Sequence, residues 1–222
     1  MGGPSLVRAV IFDWGGVITS PIAATVTAWL DADGIDKERY AAVMRPWVQL
    51  AYGPAGAESP IHALERGEMS DAEFEATLAT ALTGADGQPV TAPGLLRRMF
   101  AASVVSDEML GLIGDLRANG IATGLLSNSW GVSDAYPRHL FAGRFDDVVI
   151  SGEVGMRKPE ERIFRLAAGR LNVTPGECVF VDDVEGNIAA AAALGFGTVH
   201  HRDPGLTRQA LAGLISVRAD RG

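Results

Sequence analysis

A single cysteine, Cys178, stands among 222 residues. No internal disulfide can form, and the usage suits a reducing compartment. Cys178 opens the apolar run Cys178–Val181, which reads as a small buried core residue rather than a nucleophile. No apolar run is long enough to span a membrane. Met1–Ser5 lacks the charged-then-apolar layout of a secretory leader, so the expected location is cytoplasmic. Basic charge is also in deficit: 19 Lys and Arg face 27 Asp and Glu, a formal net charge of -8. Nucleic acid and anionic membrane both ask for a basic face, so neither is an expected partner. An anionic small molecule stays open, because one lysine and a metal ion can reverse the local sign.

What is present is ordinary for a globular protein: 47% hydrophobic and 21% charged residues, in a chain long enough for one or two well-buried domains. Buried strands are expected at Val7–Phe12, Ile121–Leu126, Asp147–Ile150, Cys178–Val181 and Gly197–His201. Their near-continuous apolar character suits parallel strands covered on both faces. Helices are expected between them at Ser106–Ala118, closed by Asn119-Gly120, at Glu160–Leu171 after Pro159, and at Asn187–Leu194 before Gly195. The alternation predicts an α/β fold with right-handed crossovers.

Residues 13–120 separate the first two strands, far more than a crossover needs. Most of this span reads as helical: Ala23–Ala32, Asp36–Ala51 with Pro46 inside, a helix opened by the Ser70-Asp71-Ala72-Glu73 capping box and running to about Leu82, and Pro93–Ala102. Thr83–Pro93 is a Gly/Pro-rich connector. The span is expected to be a small inserted domain.

Asp13 ends the first strand and precedes Trp14-Gly15-Gly16. Ser127-Asn128 ends the second, Arg157-Lys158-Pro159 follows the third, and Asp182-Asp183 ends the fourth. In a parallel sheet the carboxyl ends of the strands share one edge, so these groups can meet around Asp13. The ordered set resembles the haloacid dehalogenase superfamily, and the helical insert matches its first cap type. Leu126–Trp130 and Gly152–Pro159 look most like the phosphatase-type N-terminal domain of soluble epoxide hydrolases.

The resemblance implies a Rossmann-like parallel-sheet core formed by residues 1–18 and 98–222, with an α-helical cap over residues 19–97. It implies a Mg²⁺-dependent phosphatase acting on a small phosphorylated metabolite, as a monomer or homodimer. Asp13 would be the nucleophile, forming an aspartyl phosphate. Asp13, the Gly15 carbonyl and Asp182 would hold Mg²⁺, with Asp183 either a further ligand or an acceptor that orients water. Lys158, Ser127 Oγ and the Asn128 N–H would bind the transferring group, and Trp14 and Trp130 would line the pocket entrance. Asn187 would either hydrogen-bond the acidic loop or only open its helix. Glu153 would brace the Lys158 loop or be a solvated acid.

One residue departs from the family pattern. Family phosphatases carry a second Asp two residues after the nucleophile, which protonates the leaving group and then activates water. Here the position is Gly15. His62 or Glu65 of the cap could substitute, or the substrate could have a good leaving group. The alternatives are a 2-haloacid dehalogenase, which also lacks the second Asp, and a non-catalytic phosphometabolite binder. Against the dehalogenase stands the Asp182-Asp183 pair: two carboxylates beside an anionic nucleophile call for a cation. His200-His201 lack further nearby ligands in sequence and read as loop residues rather than a zinc site.

Overall fold

A computed structural model of the chain describes residues 7–52, 59–130 and 136–219. Five parallel strands, β1 (Ala9–Phe12), β2 (Ala122–Ser127), β3 (Asp147–Ile150), β4 (Cys178–Asp182) and β5 (Gly197–His200), lie in the order β3-β2-β1-β4-β5. β1 is central, with Phe12 level with Leu125 on one side and Val181 on the other. The strand ends carrying Asp13, Ser127 and Asp182 are therefore neighbours. Each expected strand is present. β1 begins two residues later than expected, while β2 and β4 each reach one residue further and take in Ser127 and Asp182.

The apolar runs serve both faces of the sheet. Val10 and Phe12 point to one side with Leu125, Val179 and Val181, against Met109, Leu112, Ile113 and Leu116 of α6 (Asp107–Ala118). Ala9 and Ile11 point to the other with Cys178 and Phe180, against Ile163, Phe164, Ala167 and Ala168 of α8 (Glu161–Arg170) and Ala191 of α9 (Glu185–Ala193). Cys178 lies in this second cluster fully buried, and burial lifts its thiol to about 12. α6 starts where expected because the Ser106 hydroxyl accepts the Met109 N–H at 3.3 Å. α10 (Pro204–Ala219) packs Leu211 onto the first face; it was not anticipated from the sequence, nor was α7 (Ser151–Val154).

Between β1 and β2 the insert forms α1 (Ile22–Ala32), α2 (Lys37–Tyr52), α3 (Pro60–Glu65), α4 (Asp71–Ala81) and α5 (Leu95–Met99). α3 is additional to the expected helices, and α5 is shorter than Pro93–Ala102. Pro46 lies inside α2. The capping box at Ser70 forms in full, with Glu73 accepting the Ser70 N–H at 2.9 Å. The insert has its own apolar cluster, built on Trp29, Ile61, Leu64, Phe74, Leu78, Leu95, Leu96 and Met99. The expected boundary at 97/98 thus falls inside α5, whose buried residues belong to that cluster. The chain leaves and rejoins the core side by side: Thr19 bridges Val105, and the Ser20 N–H bonds the Val104 carbonyl at 2.7 Å.

Candidate active site

Asp13 is seated by the sheet and by its own loop. Its N–H donates to the Val181 carbonyl at 2.9 Å, and its Oδ1 accepts the Trp14 N–H at 2.7 Å. The Trp14 carbonyl takes the N–H groups of both Ile18 and Thr19 at 3.0 Å, closing a tight turn. Gly16 sits at φ +77°, and a Cβ there would lie 2.3 Å from Asp183 Oδ2. Glycine at 16 lets the Asp13 loop and the acidic loop approach. Gly15 is different: its backbone is outside the left-handed region, and a Cβ would meet only the end of the Ile22 side chain, 3.0 Å from Cδ1.

Lys158 reaches in from the loop before α8. Its Nζ lies 2.8 Å from Asp13 Oδ1 and 2.7 Å from Asp182 Oδ2, and the side chain is 1% exposed. The Phe180 ring lies 5.5 Å from the ammonium. Asn128 holds the lysine's backbone from both sides: its Oδ1 accepts the Lys158 N–H at 2.8 Å, and its Nδ2 donates to the Lys158 carbonyl at 3.0 Å. This brace spans thirty positions of sequence and uses the Asn128 side chain, whereas the sequence points only to its main-chain N–H.

Asp182 is fully buried and well supplied with donors. Oδ1 accepts the Val184 N–H at 2.7 Å, Oδ2 accepts Lys158, and Asn187 Nδ2 lies 3.2 and 3.1 Å from the two oxygens. Asn187 therefore hydrogen-bonds the acidic loop, one of the two readings open from the sequence. Its own Oδ1 is buried without a partner. Asp183 is less enclosed, and its main-chain carbonyl accepts or meets His200 Nε2 at 2.9 Å.

Among the described residues, Asp13, Asp182 and Asp183 form the group able to hold a metal ion, each offering an oxygen within 4.8 Å of the others. The charges do not balance within the cluster. Burial pushes the Asp13 carboxyl up to about 8; Lys158 opposes the rise, while Asp182 and Asp183 add to it. Asp183 is also raised, first by burial and then by Asp182. Burial works against the Lys158 charge, but Asp13 and Asp182 outweigh it and hold the ammonium above the usual lysine range. Among the described residues Lys158 is the cation paired with this cluster of three carboxylates, and the site asks for another positive charge. The donors are hard oxygens, which suits Mg²⁺.

Ser127, at the end of β2, is 2% exposed, and its Oγ lies 2.8 Å from the Tyr136 hydroxyl. Tyr136 was absent from the residues anticipated. Trp14 packs against Tyr136 and edge-on against Phe141, with ring centroids 6.1 and 5.3 Å away. Trp130 inserts between Phe74 and Phe100 of the insert side, 6.1 and 6.0 Å away. Both tryptophans are half-buried in aromatic clusters beside the strand ends.

The cap residues considered as stand-ins for the missing acid are both buried. His62 sits on α3, with its N–H capped by Ser59. Glu65 is fully enclosed, and its carboxylate is paired with the Arg157 guanidinium. The same contact joins cap to core, with Ser151 Oγ donating to the Glu65 carbonyl and Arg66 pairing with Glu160 at 2.8 Å. Glu153 pairs with Arg138 near the surface. His200 meets the Asp183 main chain but, among the described residues, neither His200 nor His201 joins the group of candidate ligands; His201 Nδ1 bonds Thr207 Oγ1 at 2.8 Å. Tyr40 and Trp47 pack edge-on to Trp29 and Phe74 inside the cap, Arg45 is exposed, and the Tyr52 side chain is outside the described residues.

The sequence matches the haloacid dehalogenase-like hydrolase family over residues 7–195. The chain belongs to this family. It is 30% identical over 205 residues to acyl-CoA dehydrogenase family member 10 of Mus musculus, spanning 89% of this chain and 18% of that protein. It is 25% identical over 211 residues to bifunctional epoxide hydrolase 2 of Rattus norvegicus, spanning 89% of this chain and 37% of that protein. The chain thus spans well under half of each of these relatives. The resemblance to epoxide hydrolases read from the motifs holds. A HAD family enzyme of Bacteroides thetaiotaomicron shares the fold, with a TM-score of 0.65 at 20% identity over 89% of this chain and 95% of that one. That enzyme has also been solved with magnesium and inorganic phosphate, a structure of TM-score 0.60 to this one at 22% identity, over 88% and 94% of the chains. Among the described residues, no helix of this hydrolase-family chain is long and apolar enough to cross a membrane.

Proposed function

We propose that this family member is a Mg²⁺-dependent phosphatase acting on a small phosphorylated metabolite, with Asp13 as nucleophile. The observation that carries the reading is the charge imbalance around Asp13, where, among the described residues, three carboxylates gather about the Lys158 ammonium. A hydrolase that works on neutral carbon has no use for that excess of acid, whereas a cation placed there draws in a phosphoryl group. The fold accommodates magnesium and phosphate together in the Bacteroides enzyme.

In this reading Asp13, the Gly15 carbonyl and an acid of the Asp182-Asp183 pair would hold the ion; Asp182 is the ligand expected from the sequence, and the less enclosed Asp183 is the one whose oxygens are freer to take it. The strong hydrogen bonds to Asp182 from Lys158, Asn187 and Val184 suit a second task, fixing the lysine. When bound, Mg²⁺ supplies the positive charge that lets two anions approach. Lys158 and the Trp14 N–H hold Asp13 Oδ1, leaving the carboxylate aimed by two donors. Asp13 attacks phosphorus, the bond from phosphorus to the leaving oxygen breaks, and water later releases phosphate from the aspartyl phosphate. Ser127 Oγ, the Asn128 N–H and the Lys158 ammonium stabilise the transferring group; fixed charge of this kind is most of what phosphoryl transfer needs. Trp14 and Trp130 flank the entrance.

Gly15 brings no acid to the leaving group, so the substrates favoured are those whose leaving group departs as a stable anion. Gly15 is also the observation that favours a second reading, a protein that binds a phosphorylated metabolite without turning it over. A panel of phosphorylated metabolites and 2-haloacids, assayed with Mg²⁺ and with EDTA, separates the readings. Phosphate release that EDTA abolishes is expected. Halide release that depends on Asp13 and ignores the metal would replace this proposal with dehalogenation, and saturable binding without turnover would leave the binder.

A further inference from the structure

Ser127 has one proton and two lone pairs to dispose of in a nearly dry position. Among the described residues its Oγ has two hydroxyl or carbonyl neighbours: Tyr136 OH at 2.8 Å and the Asn128 carbonyl at 3.4 Å. The first is an ideal O–H···O length and the second is long. The Tyr136 oxygen lies 3.5 Å from the same Asn128 carbonyl, longer again. If Ser127 donated across the short bond, the tyrosine proton would have only that distant carbonyl. If Tyr136 donates, its proton is well placed, and the Ser127 proton is the one left poorly bonded and easily redirected. A phenol is the stronger donor of the two, which favours the same direction.

We propose that Tyr136 is a positioning residue of the phosphoryl site: its hydroxyl donates to Ser127 Oγ and so turns the Ser127 proton toward an oxygen of the bound phosphoryl group. The inference rests on the phosphatase reading and deepens it. Three further observations bear on it. The Tyr136 ring is held by Trp14, the residue after the nucleophile, and by Phe141 at 6.3 Å, so the hydroxyl has a fixed place. Its hydroxyl meets Ser127 at the end of β2 and its ring meets Trp14 beside Asp13, so it borders the candidate site. Burial raises its phenol above the ordinary tyrosine range, which favours the protonated, donating form. Donation into Ser127 Oγ also polarises the Ser127 O–H and strengthens its outgoing bond. The tyrosine compensates in part for Gly15 by sharpening the hold on the phosphoryl group, without supplying a proton to the leaving oxygen.

The test uses the full chain with Mg²⁺. Wild type, Tyr136→Phe, Ser127→Ala and the double variant are compared by calorimetry with inorganic phosphate and with beryllofluoride, and by thermal melting. Tyr136→Phe keeps the ring between Trp14 and Phe141. It should weaken phosphate binding about three- to tenfold, the worth of one neutral hydrogen bond, and the double variant should bind no worse than Ser127→Ala alone. Tyr136→Leu, which also removes the ring, should melt lower yet bind phosphate as Tyr136→Phe does. Unchanged affinity in Tyr136→Phe, with or without a lower melting temperature, would assign the residue to packing and overturn the inference. Additive losses in the double variant would show that it does not act through Ser127. If wild type itself binds neither phosphate nor beryllofluoride, the phosphatase reading falls and takes this inference with it.

Discussion

Restoring the absent carboxylate with Gly15→Asp tests both the site and the reasoning about its defect. The backbone permits it: Gly15 is outside the left-handed region, unlike Gly16. The new Cβ would meet Ile22 Cδ1 at 3.0 Å, the far end of a flexible side chain at the start of α1, so a shift of a few tenths of an ångström suffices. Replacing glycine at a tolerant position restricts the unfolded chain and stabilises by roughly 0.4–1 kcal/mol. Against this stands a further negative charge beside Asp13, Asp182 and Asp183. One pair of like charges ~4 Å apart repels by about 4 kcal/mol at an effective dielectric of ~20. The metal-free variant should therefore melt below wild type, and Mg²⁺ should recover most of the difference. The Cβ points at Ile22, the first residue of α1. General acid catalysis contributes ~10²–10⁴-fold, so turnover of alkyl phosphates should rise within that range, while aryl phosphates, whose leaving groups depart unaided, gain far less. The measurement is kcat/KM across a series of leaving groups, for a variant first shown to fold and to bind Mg²⁺. An unchanged dependence on leaving-group acidity would refute the account of Gly15 as the functional defect.

Asp13→Asn keeps the shape and removes the attacking charge; phosphate release should fall to background and beryllofluoride should no longer bind, and retention of most activity would rule out a covalent aspartyl route. Mg²⁺ affinity should depend on pH with a definite sign. The Asp13 carboxyl is raised to about 8 without metal, so below that pH the ion must displace a proton. Affinity should climb by up to about tenfold per pH unit toward pH 8 and level off above it, and a flat or falling profile by calorimetry would contradict the raised carboxyl. Arg157→Met strands the fully buried Glu65 without its guanidinium; denaturant melts should show a loss of about 3–5 kcal/mol, and a change under about 1 kcal/mol would mean the pair is not a cap–core tie.

The sequence by itself determined the scaffold and the order of the chemistry. Strands buried on both faces need uninterrupted apolar runs, and Val10–Phe12 and Cys178–Val181 carry that signature locally. The Ser70 and Ser106 caps are equally local, because a cap and its N–H lie within three residues. Asp13, Ser127, Lys158 and Asp182 were legible because each terminates or follows such a run, and parallel strands bring those ends to one edge. Tertiary structure alone decided how the groups are held. Asn128 braces the Lys158 peptide, Arg157 pairs with Glu65 across ninety-two positions, and Trp130 leaves the core to pack among cap aromatics. Nothing in the neighbouring residues encodes such pairings, since they depend on where distant segments dock. Tyr136 shows the same limit: it lies in a loop with no periodic pattern, and only the packing of Trp14 and Phe141 around its ring brings its hydroxyl to Ser127. The chain's local chemistry specifies which groups reach the sheet edge; the docking of cap, loops and sheet specifies which of them touch, because contact energies between remote segments arise only once the backbone has closed around them.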